Sequence, residues 1–340
     1  MPYGGRDWLA LTREPILEPE LPICDPHHHF WDRRTERIPY QRYLLDELLE
    51  DVQGGHNVVS TVFIECRAFY RADGPVEMRP VGEVEVVQGQ AAMSASRLYG
   101  PSRAAAAIVG HANLNLGERV ESVLEALAAA SPNRFRGIRH SVTYDPHAEV
   151  ENSAAHPYKG QLLSDEFRAG ARVLARMGFS LEGWCYFPQL PELADFARAV
   201  PDLPIILNHI GGLIRSGPYS NDEETTAAWR SGIAAVADCP NVVVKLGGIG
   251  MPRTGFGWHE RPIPIGSEEL AAGMAPWIGY CIEQFGPDRS MFESNFPVDK
   301  VSYSYAVLYN AFKRLSASYS PSERAALFHD TAARVYRIGS

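Results

Sequence analysis

Ile23-Cys24-Asp25-Pro26-His27-His28-His29-Phe30-Trp31-Asp32 is a short apolar run that ends in three consecutive histidines. This segment decides between two α/β architectures. An open, doubly wound sheet usually carries a glycine-rich phosphate loop after its first strand. Here histidines and an aromatic pair stand in that place. Side chains alternate along a strand, so His27 and His29 point to one side and His28 to the other. Two imidazoles converging on a barrel axis form a bidentate clamp for a metal ion.

Working outward, seven more short runs rich in Val, Ile and Phe follow, at 57–66, 104–113, 134–142, 178–185, 204–209, 241–247 and 289–295. They are continuously apolar rather than alternating, as strands covered on both faces are. Amphipathic stretches separate them. Val120, Val123, Leu124 and Leu127 form one helical stripe; Leu44, Leu45, Leu48 and Leu49 form another, and Leu193, Phe196, Ala197 and Val200 a third. Ser320-Pro321-Ser322-Glu323 is a capping box opening the last helix. Eight βα units in order predict an α/β fold of the (β/α)8 TIM-barrel type over residues 21–340, preceded by an N-terminal extension at 1–20.

The 340 residues, 45% hydrophobic and 21% charged, suffice for one large barrel domain. The net charge is −9 and no cluster of Lys and Arg stands out, which argues against nucleic acid and anionic membranes as partners. No run approaches the roughly 20 apolar residues of a membrane span. Five scattered cysteines without a CxxC pair fit free thiols in a reducing compartment, and residues 1–20 lack the apolar segment of a secretory signal. These features predict a cytoplasmic protein.

A third histidine, His209, ends the sixth run within Asn208-His209-Ile210-Gly211-Gly212, where it would meet His27 and His29 at the barrel mouth. Arg139, at the end of the fourth run, is the expected clamp for a substrate carboxylate, with His140 beside it. Glu65 and Lys245 place charges on otherwise apolar runs, either as pocket groups or as a structural pair. Trp184 is an expected pocket wall. Two long connections, 67–84 and 248–267, follow strands and belong on the catalytic face. The second carries Arg253, Phe256, Trp258, His259 and Arg261, a composition suited to a lid over an anionic or aromatic substrate, or to packing on a neighbouring subunit in a homo-oligomer.

The Asp-Pro-His-His-His-Phe-Trp-Asp opening, Asn208-His209-Ile210-Gly211-Gly212, Val244-Lys245-Leu246-Gly247-Gly248 and Ser294-Asn295-Phe296-Pro297 together resemble the amidohydrolase-2 group of barrel hydrolases, from about residue 23 to the C-terminus. Within it they resemble the lactonase branch, which includes pyrone dicarboxylate and sugar-acid lactonases. The resemblance implies an aspartate ending strand eight, acting as general base and, in metal-dependent members, as a ligand. This chain has Asn295 there. Asparagine accepts no proton at neutral pH and is a poorer ligand than a carboxylate.

The expected reaction is hydrolysis of a small lactone bearing carboxylate or hydroxyl groups. His27, His29 and His209 polarise the carbonyl, directly or through a divalent cation such as Zn2+. Glu293 or Asp299 supplies basicity, and Asn295 donates a hydrogen bond to water or substrate. Three histidines and an asparagine form a neutral ligand set, which predicts weak or absent metal. Two alternatives stand beside this reading: metal-dependent decarboxylation of an unsaturated or aromatic acid, and a catalytically silent binding barrel.

Overall fold

The computed structural model describes residues 5–34 and 40–339. The first four residues of the expected N-terminal extension lie outside it. Eight strands run β1 Pro22–His28, β2 Asn57–Ile64, β3 Arg103–Gly110, β4 Phe135–Arg139, β5 Ser180–Gly183, β6 Ile205–Leu207, β7 Val242–Leu246 and β8 Ser290–Phe292. Each pairs in parallel with the next in one sheet of order β1 to β8. The first and last strands meet through the loop after β8. His29 N donates to Phe296 O (2.8 Å) and Asn295 N to His27 O (2.9 Å), closing the barrel at its C-terminal rim.

The strands are short and covered on both sides, which is why they read as unbroken apolar runs; in β3, seven of eight residues are buried. The covering helices are α1 Leu45–Val52, α2 Val81–Ala95, α3 Glu121–Ala130, α4 Asp165–Arg176, α5 Leu190–Ala199, α6 Asp222–Ala237, α7 Ser267–Phe285 and α8 Tyr305–Leu315. The expected stripe on α3 is buried at Val120, Val123, Leu124 and Leu127. The Ser320–Glu323 capping box is present, but the helix it opens passes through a π-turn at Ala326–Asp330 before Thr331–Val335.

The barrel interior is layered. Cys24, Val62, Ile64, Ala107, Val109, Ile206 and Met291 form an apolar layer, closed from the C-terminal helix by Ala332 and Tyr336. Residues 12–18 strap the outside: Thr12 Oγ1 donates to Pro264 O (2.7 Å), Leu17 N to Asn310 Oδ1 (2.9 Å), and Lys313 Nζ to Leu17 O (2.7 Å). All described cysteines are buried free thiols. Among the described residues, no helix is long and apolar enough to cross a membrane.

Candidate active site

A cavity of about 1050 Å³ opens at the C-terminal ends of the strands. Every strand, or the loop directly after it, gives its wall at least one residue: His29, Glu65, His111, Arg139, Trp184, His209, Arg253 and Asn295, in strand order. This is the face on which barrel enzymes build their sites.

His27 lies beneath this wall, fully buried, with Glu293. Glu293 bridges two histidines. Its Oε1 accepts from His209 N (3.1 Å) and Nδ1 (2.7 Å), and its Oε2 is 2.7 Å from His27 Nδ1, off the line of a hydrogen bond. Burial pushes the Glu293 carboxyl up to about 8, against the opposing pull of Lys245. Burial, followed by Arg139 and Lys245, holds His209 well below the ordinary histidine range. Burial and then Lys245 do the same to His27. Both imidazoles are therefore neutral at pH 7. Because Glu293 takes the Nδ1 proton of His209, Nε2 of that ring is left as an acceptor.

Local sequence explains this placement. His209, Ile210, Gly211 and Gly212 have φ of 53°, 48°, 78° and 67°, a run of left-handed residues that swings the imidazole across the barrel top. A Cβ on Gly248 would lie 2.4 Å from the His209 ring, and one on Gly247 would lie 2.5 Å from Glu293 Cγ. The Gly247-Gly248 pair thus leaves the space into which His209 and Glu293 fit.

Below the couple, Lys245 Nζ donates to Glu182 Oε2 (2.8 Å) and faces His27 Nδ1 at 3.3 Å. Glu182 also accepts from Asn208 Nδ2 and from the Tyr336 hydroxyl. Of the two readings left open for Glu65 and Lys245, the mutual pair is absent: Lys245 pairs with Glu182 and does not reach the cavity wall, while Glu65 lies on the wall and pairs with Arg139 (2.9 Å). Glu182 was overlooked in the sequence, although it is a charge on an apolar strand, the same signal that marked Glu65 and Lys245.

All three guanidinium nitrogens of Arg139 are engaged: Nε and one terminal nitrogen by Glu65, the other facing His27 Nε2 at 3.4 Å. A substrate carboxylate would have to displace these partners. Asn295 stands at the wall with φ 55°, a region asparagine tolerates. Its Nδ2 donates to Asp299 Oδ1 (2.7 Å), while Asp299 Oδ2 accepts from Gly250 N and Tyr303 Oη, each at 2.8 Å. Asn295 therefore offers an acceptor, Oδ1, where the sequence suggested a donor. Both Asp299 oxygens are occupied; burial pushes its carboxyl up to about 7, and it positions Asn295 from outside the cavity lining.

His29 is held by a bond between its Nδ1 and Ile64 O (2.8 Å). Among the described residues, the cluster with donor atoms within 4.8 Å of one another is His27, His209 and Glu293, so Glu293 stands where the sequence suggested His29. Two imidazoles and a carboxyl match a donor set that zinc takes in hydrolases, so the cluster includes an acidic group where the sequence suggested three histidines and an asparagine. The ammonium and guanidinium flanking His27 oppose a second cation there.

Trp184 packs edge-on against His209 (4.8 Å between centroids). Arg253 reaches the cavity, held by Tyr186 Oη and Ser153 Oγ (3.2 Å). The rest of the expected lid turns aside: Phe256 stacks on Trp258 (4.3 Å), Arg261 pairs with Glu269, and His259 lies near Glu260 (3.6 Å), away from the wall. The connection after β4 does contribute, with residues 149–156 on the wall. Its 25-residue span from β4 to α4 was the available signal.

A family model described as "Amidohydrolase" matches residues 24–338. The chain is 32% identical to the protein y4mH of Sinorhizobium fredii over 339 residues, covering 94% of this chain and 99% of that one. It is 25% identical to an L-fucono-1,5-lactonase of Burkholderia multivorans, over 92% of this chain and 95% of the enzyme. A crystal structure of an amidohydrolase from Burkholderia multivorans with bound zinc aligns with TM-score 0.72 at 24% identity, over 93% and 99% of the two chains.

Proposed function

The chain belongs to the amidohydrolase family of hydrolases, and from that premise we propose that it opens a small lactone carrying hydroxyl or carboxylate groups. The observation that carries this reading is the His209–Glu293 couple at the floor of the cavity. Glu293 fixes the Nδ1 proton, and the neutral ring presents Nε2 as proton acceptor.

Water seated by Asn295 Oδ1 gives a proton to His209 Nε2 as its oxygen attacks the lactone carbonyl carbon. Arg139, Lys245 and Arg253 all depress the proton affinity of His209, so the couple sits in a positive field that favours the oxyanion. Collapse of the tetrahedral adduct breaks the bond to the ring oxygen, which takes the proton back from Nε2. The product is the open hydroxy acid. His27, His209 and Glu293 are the residues that would hold a divalent ion, which would supply Lewis-acid polarisation of the carbonyl and a more acidic water. Lys245 and Arg139 beside His27 make that hold weak. The lactonase relative supports the substrate class, and small molecules fit a cavity of this size.

The test is a panel of five- and six-membered lactones, followed by acid release, with and without chelator. Hydrolysis that survives dialysis against chelator at a substantial fraction of its rate is expected. Release of carbon dioxide from an aromatic acid, with no lactone turned over, would replace this reading with decarboxylation.

A further inference from the structure

Several buried polar atoms among the described residues lack a hydrogen-bond partner, and five of them belong to side chains of the cavity wall. They are Glu65 Oε2, Tyr70 Oη, Arg79 Nε, one atom of the Gln161 amide, and Asn295 Oδ1. Buried polar groups are normally paired, and each left unpaired costs stability. Five such groups lie around one cavity, where a ligand can pair them.

The loop carrying Tyr70 is built to hold it there. Glu83, in the first turn of α2, accepts from Cys66 N (3.0 Å) and Ala68 N (2.8 Å). A Cβ on Gly82 would lie 2.6 Å from Phe69 O, so glycine lets the loop press onto the helix. Tyr70 then stacks on His111, whose Nδ1 is fixed by Arg139 O (2.9 Å).

The polarity of the wall follows from its bonds. His140 Nδ1 accepts from Leu114 N (3.1 Å), so the proton of this neutral ring sits on Nε2. Gln161 Nε2 is placed 3.2 Å from that Nε2, with Oε1 unpartnered; two N–H groups cannot hydrogen-bond to each other, so we turn the amide end for end. The amide must meet an N–H with its oxygen, which leaves its NH2 as the unpartnered group. The wall then holds two acceptors, Glu65 Oε2 and Asn295 Oδ1, two donors, Arg79 Nε and the Gln161 NH2, and one group of both kinds, Tyr70 Oη. A carboxylate ligand satisfies the donors only and leaves Glu65 Oε2 and Asn295 Oδ1 unpaired. An ammonium satisfies the acceptors only. A hydroxyl both donates and accepts, and matches every position.

We propose that Glu65, Tyr70, Arg79 and Gln161 form a hydroxyl-reading wall, which selects a neutral, polyhydroxylated ring over a carboxylated one. This rests on the reading of the cavity as the substrate site, and it names the substituent. The unpartnered atoms are buried just behind the cavity surface, so pairing accompanies small side-chain turns as the ring enters.

The test is binding, which needs no turnover. Titration calorimetry with an anhydrohexitol, a cyclohexane dicarboxylate and unsubstituted tetrahydropyran compares the three ligand classes on the full chain. The anhydrohexitol is expected to bind at least about tenfold more tightly than the dicarboxylate. Tyr70→Phe and, separately, Gln161→Leu are expected to weaken it about three- to tenfold, the effect of one hydrogen bond. Both should leave the affinity for tetrahydropyran unchanged. Tighter binding of the dicarboxylate, no binding of the anhydrohexitol, or variants that weaken all ligands equally overturns the proposal. A chain that binds the polyol but hydrolyses no lactone keeps this wall and removes the proposed reaction.

Discussion

The barrel interior and the cavity wall above it both bury charged and polar side chains, but they treat them differently. In the interior, Tyr336, Glu182, Lys245, His27, Glu293 and His209 form a column in which each member contacts the next. On the wall, Glu65 Oε2, Tyr70 Oη and Arg79 Nε are buried without partners. The column sets every charged side chain beside an oppositely charged or polar neighbour, although Glu293 Oε2 lacks an aligned hydrogen bond, because an isolated charge in the interior is expensive. The wall leaves groups unpaired where a ligand can pair them. On the proposed function, the column holds the His209–Glu293 couple and the wall receives the substrate.

The largest effects are expected at the top of the column. His209→Asn keeps a residue that tolerates φ 53° but removes the proton acceptor. Glu293→Gln keeps acceptance from His209 N but loses the carboxylate. Each should lower kcat on a confirmed lactone about 10²- to 10⁴-fold, the range for a general base, with an unchanged circular dichroism spectrum. A His209→Asn enzyme retaining half its rate would remove the couple from the mechanism.

One level down, the effect moves from rate to stability. Lys245→Met leaves Glu182 charged and buried with only neutral donors, at a cost of about 3–5 kcal/mol. The double variant Lys245→Met with Glu182→Gln should recover most of that loss, because the orphaned charge goes with its partner. Urea unfolding of the three proteins measures this. A single variant within about 1 kcal/mol of the parent would mean the column is not a paired unit.

The sequence carried the barrel because all eight strands are buried on both faces, and that leaves unbroken apolar runs. It singled out His27, His209 and Asn295 because they lie at or near the ends of apolar runs, and Glu293 because it lies two residues before Asn295. It did not carry the partners. Alternation along a strand says which way Glu65 and Lys245 point, but not that Arg139 from β4 and Glu182 from β5 take them. Glu293 was expected as one of two carboxylates, with Asp299, that could supply basicity. Its bridging of two histidines depends on the left-handed turn at His209–Gly212 and on the absence of Cβ atoms at Gly247 and Gly248. The lid reading of Trp258 and His259 failed because composition does not reveal that Trp258 packs on Phe256.

The sharpest comparison uses the same substitution twice, at opposite ends of this contrast. Tyr336 donates its hydroxyl to Glu182, and its ring is wholly buried. Tyr336→Phe leaves a buried carboxylate oxygen without that donor and should cost about 1–3 kcal/mol. Tyr70 presents a buried hydroxyl to nothing in the ligand-free protein. In the unfolded chain that hydroxyl is hydrated, so folding strips it of water without return. Tyr70→Phe deletes only the stranded group and should leave stability unchanged or raise it by up to about 1 kcal/mol, a few degrees at most in Tm. A saturating anhydrohexitol should stabilise the parent and Tyr336→Phe by about 0.7–1.4 kcal/mol more than Tyr70→Phe, the equivalent of three- to tenfold tighter binding, and so remove the advantage of Tyr70→Phe over the parent. The measurement is thermal unfolding of the parent and both variants side by side, with and without the polyol. If Tyr70→Phe without ligand lowers Tm as far as Tyr336→Phe does, Tyr70 has a structural partner and the contrast between column and wall collapses.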